Sequence, residues 1–352
     1  MRESEANRAV RQSATRPGQA DALGWLMTGL AVWLVGGAYV DGWAHTHGRA
    51  DTTFFTPWHA VLYSGFLAMA STLAVQVIRG VARRQPWQHA LPHGYNLALL
   101  GAVVFWLGGV GDLFWHTWFG IEQDVEALLS PTHLMLAGGA WLMAGGPFRA
   151  AWHRGALPPQ TLWQGLPCWL SLLCMLSVCT FILQVAHPIS APWGGGSRQS
   201  LPVLRHIAGV VSALWDTGLS LGFLLLAMRR WVLPPGSITL VLGLNAAAMG
   251  VLLPGAYPLG LVVLRVLAAC LADVAYRTLH PTMQRPRAWR LFAVLLPLLL
   301  NTAHFAAMAL GGGLWWSVHL WAGTIGLTGV VGLLLSVLVL PPALPAAPDA
   351  SI

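Results

Sequence analysis

The chain has 352 residues, of which 56% are hydrophobic and only 9% are charged, against about 25% charged in a typical soluble domain. So few charges cannot build a water-facing surface, which excludes an ordinary soluble globular protein and makes the lipid bilayer the first partner of this chain. The formal charge of +7 comes from 19 arginines with no lysine; they sit in short connections between apolar runs, where they set topology, so no nucleic-acid partner is expected.

In chain order, residues 1–22 are polar and contain no short apolar core with a cleavage site, so they read as a cytoplasmic extension ahead of a first helix that is itself the insertion signal. A membrane crossing takes about 20 apolar residues. Such runs cover 24–45, 57–79, 94–116, 131–151, 165–187, 201–228, 237–254, 256–275, 289–311 and 314–340, with Pro254, Gly255 and Pro258 marking a tight turn between the seventh and eighth. The expected fold is therefore all-α: a polytopic transmembrane bundle of about ten helices. Residues 23–151 form two repeated hairpins, 152–340 the remaining bundle, and the Pro/Ala-rich stretch 341–352 a disordered cytoplasmic tail. Cys168, Cys174, Cys179 and Cys270 lie within apolar runs without metal or disulfide spacing and read as small core residues.

With the N-terminus in the cytoplasm, fifteen of the nineteen arginines fall in inner segments, and Arg49, Arg198 and Arg205 on the outer side. This asymmetry places both termini in the cytoplasm under the positive-inside rule. High Ala, Gly, Leu and Arg without Lys points to a GC-rich bacterial genome, so the expected location is the bacterial cytoplasmic (inner) membrane, multi-pass. The same topology sorts the histidines. His45, His47, His59, His116, His133, His187, His206, His304 and His319 fall at or near outer helix ends, and only His89, His93, His153 and His280 on the inner side.

Two segments repeat a pattern. DGWAHTHGRADTTFFTPWHAVLYSG at 41–65 and DLFWHTWFGIEQDVEALLSPTHLMLAG at 112–138 each contain D-x-x-x-H-T at the end of one helix and P-x-H at the start of the next, with a glycine six residues on. Asp41 and His45 share a helix face, as do Asp112 and His116. Pro57 and Pro131 suit the first helical position, and Thr56 and Ser130 suit the N-cap before them. This sets His59 and His133 in the first turn of the return helix, level with the opposing Asp and His. One carboxylate and two imidazoles form a metal-ligand set for copper, iron or zinc; the alternative is histidines of an interfacial belt. The repetition and the cost of ionisable groups near the bilayer favour metal. His47, His187, His206, His304 and His319 are additional candidates for ligands or a proton relay, and Asn301, one turn before His304, for orienting a ligand. Asp216 and Arg265 lie deep in the sixth and eighth spans, which predicts an intramembrane ion pair between them. Asp273 is expected beside Arg277, one turn on.

The first hairpin resembles the copper-site hairpin of the C subunit of copper membrane monooxygenases, the particulate methane and ammonia monooxygenase family. The resemblance rests on Asp41, His45 and His59, preceded by Arg49, Asp51, Thr52, Phe54, Thr56 and Pro57, and covers about 25 residues; thirteen residues separate His45 from His59, one more than in the family's pattern. It implies that Asp41, His45 and His59 bind copper at the outer (periplasmic) face, with Asp112, His116 and His133 as a divergent second copy that forms its own site or completes the first. The function this implies is a membrane-embedded copper-binding protein, a copper-dependent oxidoreductase of the monooxygenase kind or a subunit of one, with partner subunits, a redox donor and a small or lipophilic substrate. Trp43, Phe54, Phe55, Trp58, Phe114, Trp115 and Trp118 surround the ligands in sequence. The alternatives from other classes are a metal-handling or assembly protein for copper or zinc, a zinc-dependent intramembrane hydrolase, and bis-histidine haem binding. Metal identity separates them.

Overall fold

In the computed structural model, residues 22–49, 55–86, 89–120, 124–154, 161–194, 202–253, 257–311 and 313–342 are described. They form α1 (Ala22–Thr46), α2 (Pro57–Ala82), α3 (Asn96–Phe119), the short α4 (Asp124–Leu129), α5 (Pro131–Ala144), α6 (Gly146–His153), α7 (Leu162–Ile182), α8 (Pro202–Arg230), α9 (Leu244–Val251, entered through a π-helical turn at Thr239–Gly243), α10 (Tyr257–Leu279), α11 (Pro286–Leu310) and α12 (Val318–Val339). No strand occurs among the described residues. The fold is an all-α bundle, and eight of its helices are long and apolar enough to cross a membrane: a multi-pass membrane protein. Its long helices are apolar all round, and large side chains such as Trp33, Leu67, Ile78, Trp106 and Leu338 stand outward, where lipid would solvate them.

Two of the ten expected spans are not single long helices. The fourth is interrupted at Gly145 because Pro147 has no N–H to donate back to residue 143, so the chain restarts as α6. The seventh is a shorter apolar helix over Thr239–Val251. Its start is held by Asp273, which accepts from Gly236 N (3.2 Å), Thr239 N (2.7 Å) and Thr239 Oγ1. Asp273 thus caps a neighbouring helix rather than pairing with Arg277 as expected, because backbone N–H groups at a buried helix start need an acceptor. The turn at 254–256 lies outside the described residues.

Two large apolar cores fill the bundle, with a smaller one around Phe305, Met308 and Trp316. One gathers Met27, Leu34, Phe66, Met69, Tyr95 and Phe105 around the two N-terminal hairpins. The other gathers Trp169, Trp231, Trp289, Phe292 and Leu300 in the second half. α7 contributes to both and ties them together. It runs parallel to α1: Thr28 Oγ1 donates to Pro167 O at 3.2 Å, Tyr39 OH to Ser177 O at 3.0 Å, and Gly42 lies against Phe181. The end of α7 is thereby at the same end of the bundle as Asp41. Cys168 and Cys174 are buried, whereas Cys270 is exposed on α10.

Candidate metal centres

Each Asp/His/His set rests on a helix pair whose approach glycine permits. A Cβ on Gly37 would lie 2.7 Å from Leu62 Cα, and one on Gly65 2.9 Å from Leu34 Cα. In the second hairpin a Cβ on Gly108 would lie 2.9 Å from Leu136 N, and one on Gly139 2.6 Å from Phe105 N. Counted from the site residues, the register is the same in both. The glycine four before the aspartate faces the residue three after the return-helix histidine. The glycine six after that histidine faces the residue seven before the aspartate. The hairpins are structural copies of one another, and their backbones come close enough to set a carboxylate on one helix against an imidazole on the next.

The helix starts behave alike. Thr56 Oγ1 accepts from His59 N–H at 3.0 Å and Ser130 Oγ from His133 N–H at 3.4 Å, with Pro57 and Pro131 opening α2 and α5. Each histidine is therefore held in the first turn of its helix.

The side chains then converge. His59 Nε2 lies 3.5 Å from Asp41 Oδ1, and His45 Nε2 3.9 Å from Asp41 Oδ2. His133 Nε2 lies 3.5 Å from Asp112 Oδ1, and His116 Nε2 3.4 Å from Asp112 Oδ2. Within each triad one ligand atom per residue falls within 4.8 Å of the others, and the two triads are separate groups. These separations are longer than a normal N–H···O hydrogen bond. They approach the edge of about 3.3–3.5 Å between donors that sit about 2.0–2.2 Å from a tetrahedral metal ion.

Tautomers sharpen the fit. His116 Nδ1 is 3.3 Å from the carbonyl oxygen of Gly120, which can only accept, so the neutral ring carries its proton on Nδ1. Its Nε2 lone pair then faces Asp112 Oδ2, an acceptor against an acceptor, an arrangement relieved either by a cation between them or by a second proton on the ring. In the first triad Asp41 Oδ1 is buried and accepts no hydrogen bond. Imidazole nitrogen plus carboxylate oxygen suits copper, zinc or iron.

The second triad is the better supported. Asp112 is 1% exposed and receives a hydrogen bond from Thr132 Oγ1 at 2.9 Å, while Ser130 Oγ sits 2.7 Å from His133 Nδ1. In the first hairpin the position of Thr132 is taken by Trp58, whose indole donates to Arg49 O at 3.3 Å, and the Asp41 side chain is 17% exposed. Tyr63 stands between the triads. Its ring is edge-on to His59 at 6.1 Å between centroids and packs against Gly109, one turn before Asp112. The sites are near enough for Asp112 and His133 to act electrostatically on Asp41.

The other expected residues fall elsewhere. His47 Nδ1 lies 2.9 Å from Trp43 O and its ring stacks on Trp43, so it closes the end of α1 outside the triad. His206 stacks on Trp315, and His319 is exposed at the start of α12. His187 and His304 are buried with Asp216 and Arg265 in an interior cluster, where Arg265 Nη2 contacts Asp216 Oδ2 and His187 Nε2 lies 3.4 Å from Asp216 Oδ1. Asn301 does not orient His304; its Nδ2 donates to Pro297 O at 2.9 Å and Thr217 Oγ1 at 3.4 Å. Asp51, Thr52 and Phe54 lie outside the described residues. Sequence reasoning found the glycine six residues after each return-helix histidine but missed the one four before each aspartate and missed Thr132, although the repeated G-x-x-x-D spacing and a hydroxyl next to His133 were available signals. No protein-family model, no curated protein and no solved structure matches the chain.

Proposed function

We propose that this protein is a membrane-embedded copper-binding protein with one mononuclear site per N-terminal hairpin, at the outer face of a bacterial inner membrane, acting as a copper-dependent oxidoreductase of the monooxygenase kind or as a subunit of one. The observation that carries the metal reading is the duplicated triad, in which Asp41, His45 and His59, and again Asp112, His116 and His133, bring one carboxylate and two imidazoles together on the same glycine register. The resemblance of the first hairpin to the copper-site hairpin of copper membrane monooxygenases supports copper over zinc and iron.

Bound copper would supply one-electron redox chemistry. The chain's own residues hold and shape the sites. The aspartates bring negative charge to the metal, the histidines set its geometry, and Thr132 and Ser130 fix the orientation of Asp112 and His133. Phe55, Trp118 and Phe119 are 82%, 74% and 69% exposed near the triads, an apolar approach suited to a small lipophilic substrate arriving through the bilayer.

Metal content of the purified protein in detergent, measured by mass spectrometry beside the His45→Ala/His59→Ala variant, tests this reading. The expected result is copper at two per chain, falling to one in the variant, as the two separate triads require. Zinc in its place would replace the oxidoreductase reading with that of a hydrolase. No metal after reconstitution with copper, zinc and iron would overturn the proposal.

A further inference from the structure

The interior cluster carries a second inference, independent of the metal reading. Asp216 on α8 contacts Arg265 on α10, and Ser220 Oγ donates to its Oδ1 at 3.4 Å. His187, in the connection after α7, accepts from Ile189 N–H on Nδ1 at 3.2 Å. The neutral ring therefore carries its proton on Nε2, facing Asp216. The charges of Asp216 and Arg265 cancel, so the cluster as a whole is neutral.

What remains is a set of polar atoms without partners. His304 Nδ1, Ser212 Oγ, Arg265 Nη1 and Asn301 Oδ1 are buried and make no hydrogen bond, on residues that are 5%, 1%, 4% and 0% exposed. His304 and Ser212 also line a small cavity of water size, with Trp193, Phe305 and Trp316 in its wall. The indole N–H groups of Trp193 and Trp316 are likewise buried without an acceptor. Four of these atoms, His304 Nδ1, Ser212 Oγ and the two indole nitrogens, belong to residues that line the cavity, and donors and acceptors left over around a cavity are the signature of a hydrogen-bonding occupant. The lining offers one imidazole and one hydroxyl and no carboxylate or thiolate, a poor ligand set for a metal ion. The occupant that fits by size and polarity is water, and the imidazole placed to hydrogen-bond it is that of His304, the one histidine in the lining.

We propose that this cavity is a hydrated hydrogen-exchange site within the bundle, in which bound water joins Trp193, Ser212, His304 and Trp316, and His304 Nδ1 is the imidazole atom that holds the water against the two indoles.

Indole hydrogen exchange tests this on the full-length protein in lipid nanodiscs, followed by nitrogen-15 NMR of labelled tryptophan after transfer to D2O. Trp169 and Trp289 are built-in controls, since both are fully buried with unpartnered indole N–H groups and neither lines the cavity. Trp193 and Trp316 should exchange at least about tenfold faster than these controls. Exchange at Trp316 should slow by about tenfold in His304→Leu and less in His304→Gln, which retains a polar side chain. Preserved protection at Trp169 and Trp289 in both variants reports an intact fold. Wild-type exchange at Trp193 and Trp316 as slow as at the controls would mean a dry cavity and overturn the proposal, whether or not the variants fold. Fast exchange unchanged in both variants would overturn the role of His304.

Discussion

The triads and the interior cluster use the same ingredients and complete them differently. In each hairpin an aspartate faces two imidazoles with no arginine in the set, and the imidazole nitrogens stand 3.4–3.9 Å from the carboxylate, leaving room for a cation. In the interior, Asp216 faces one imidazole at 3.4 Å, but its other oxygen is taken by Arg265. Depth accounts for the contrast. A carboxylate near the end of the bundle can exchange its counter-ion with solution, whereas one in the membrane interior needs a counter-ion covalently attached to the fold. An aspartate beside histidine is thus not by itself a metal signal; what matters is whether the protein supplies the positive charge.

The largest expected effect breaks this comparison from the interior side. Asp216→Asn leaves the Arg265 guanidinium buried and unpaired, and should cost about 3–5 kcal/mol of stability. Thermal unfolding in detergent would read it, and the double variant Asp216→Asn/Arg265→Gln should recover most of the loss. Retained stability in the single variant would show that the pair is not desolvated.

On the other side, Asp112→Ala should abolish metal at the second triad while the first keeps its own, halving metal per chain. Loss of all metal would mean that the triads form one centre. Gly139→Leu should act on the same site from a distance. The added side chain forces α5 away from Phe105 N, with a penalty of about 1–3 kcal/mol or more and loss of metal from that hairpin only. Thr132→Val should have the smallest effect, weakening the second site by about 10–100-fold with little change in stability. The first hairpin carries Trp58 at that position and should already be the weaker of the two, which a stepwise metal titration of the parent protein would resolve.

Much of this was legible in the residues. Apolar runs located the helices because a membrane span is long and its composition distinctive. The D-x-x-x-H and P-x-H spacings located the triads because each triad uses one helix end and the start of the next. The sequence did not show where a run would be cut by Pro147 or shortened at Thr239, since an apolar run records burial in lipid and not continuity of hydrogen bonding. Asp273 was misread because a neighbour four residues on is visible in sequence, while the helix start it caps is 34 residues away. His187 and His304 were visible only as helix-end histidines. Their burial with Arg265 depends on how α7, α8, α10 and α11 pack, which no local pattern records.

The glycine register described above has a consequence for protein engineering. The glycines, the caps and the three ligands of one hairpin all lie between the residue seven before the aspartate and the glycine six after the second histidine. That makes the hairpin a portable part: grafted onto another pair of antiparallel membrane helices with the same spacing, it should carry its Asp/His/His triad along, and the chain already holds two instalments of that part.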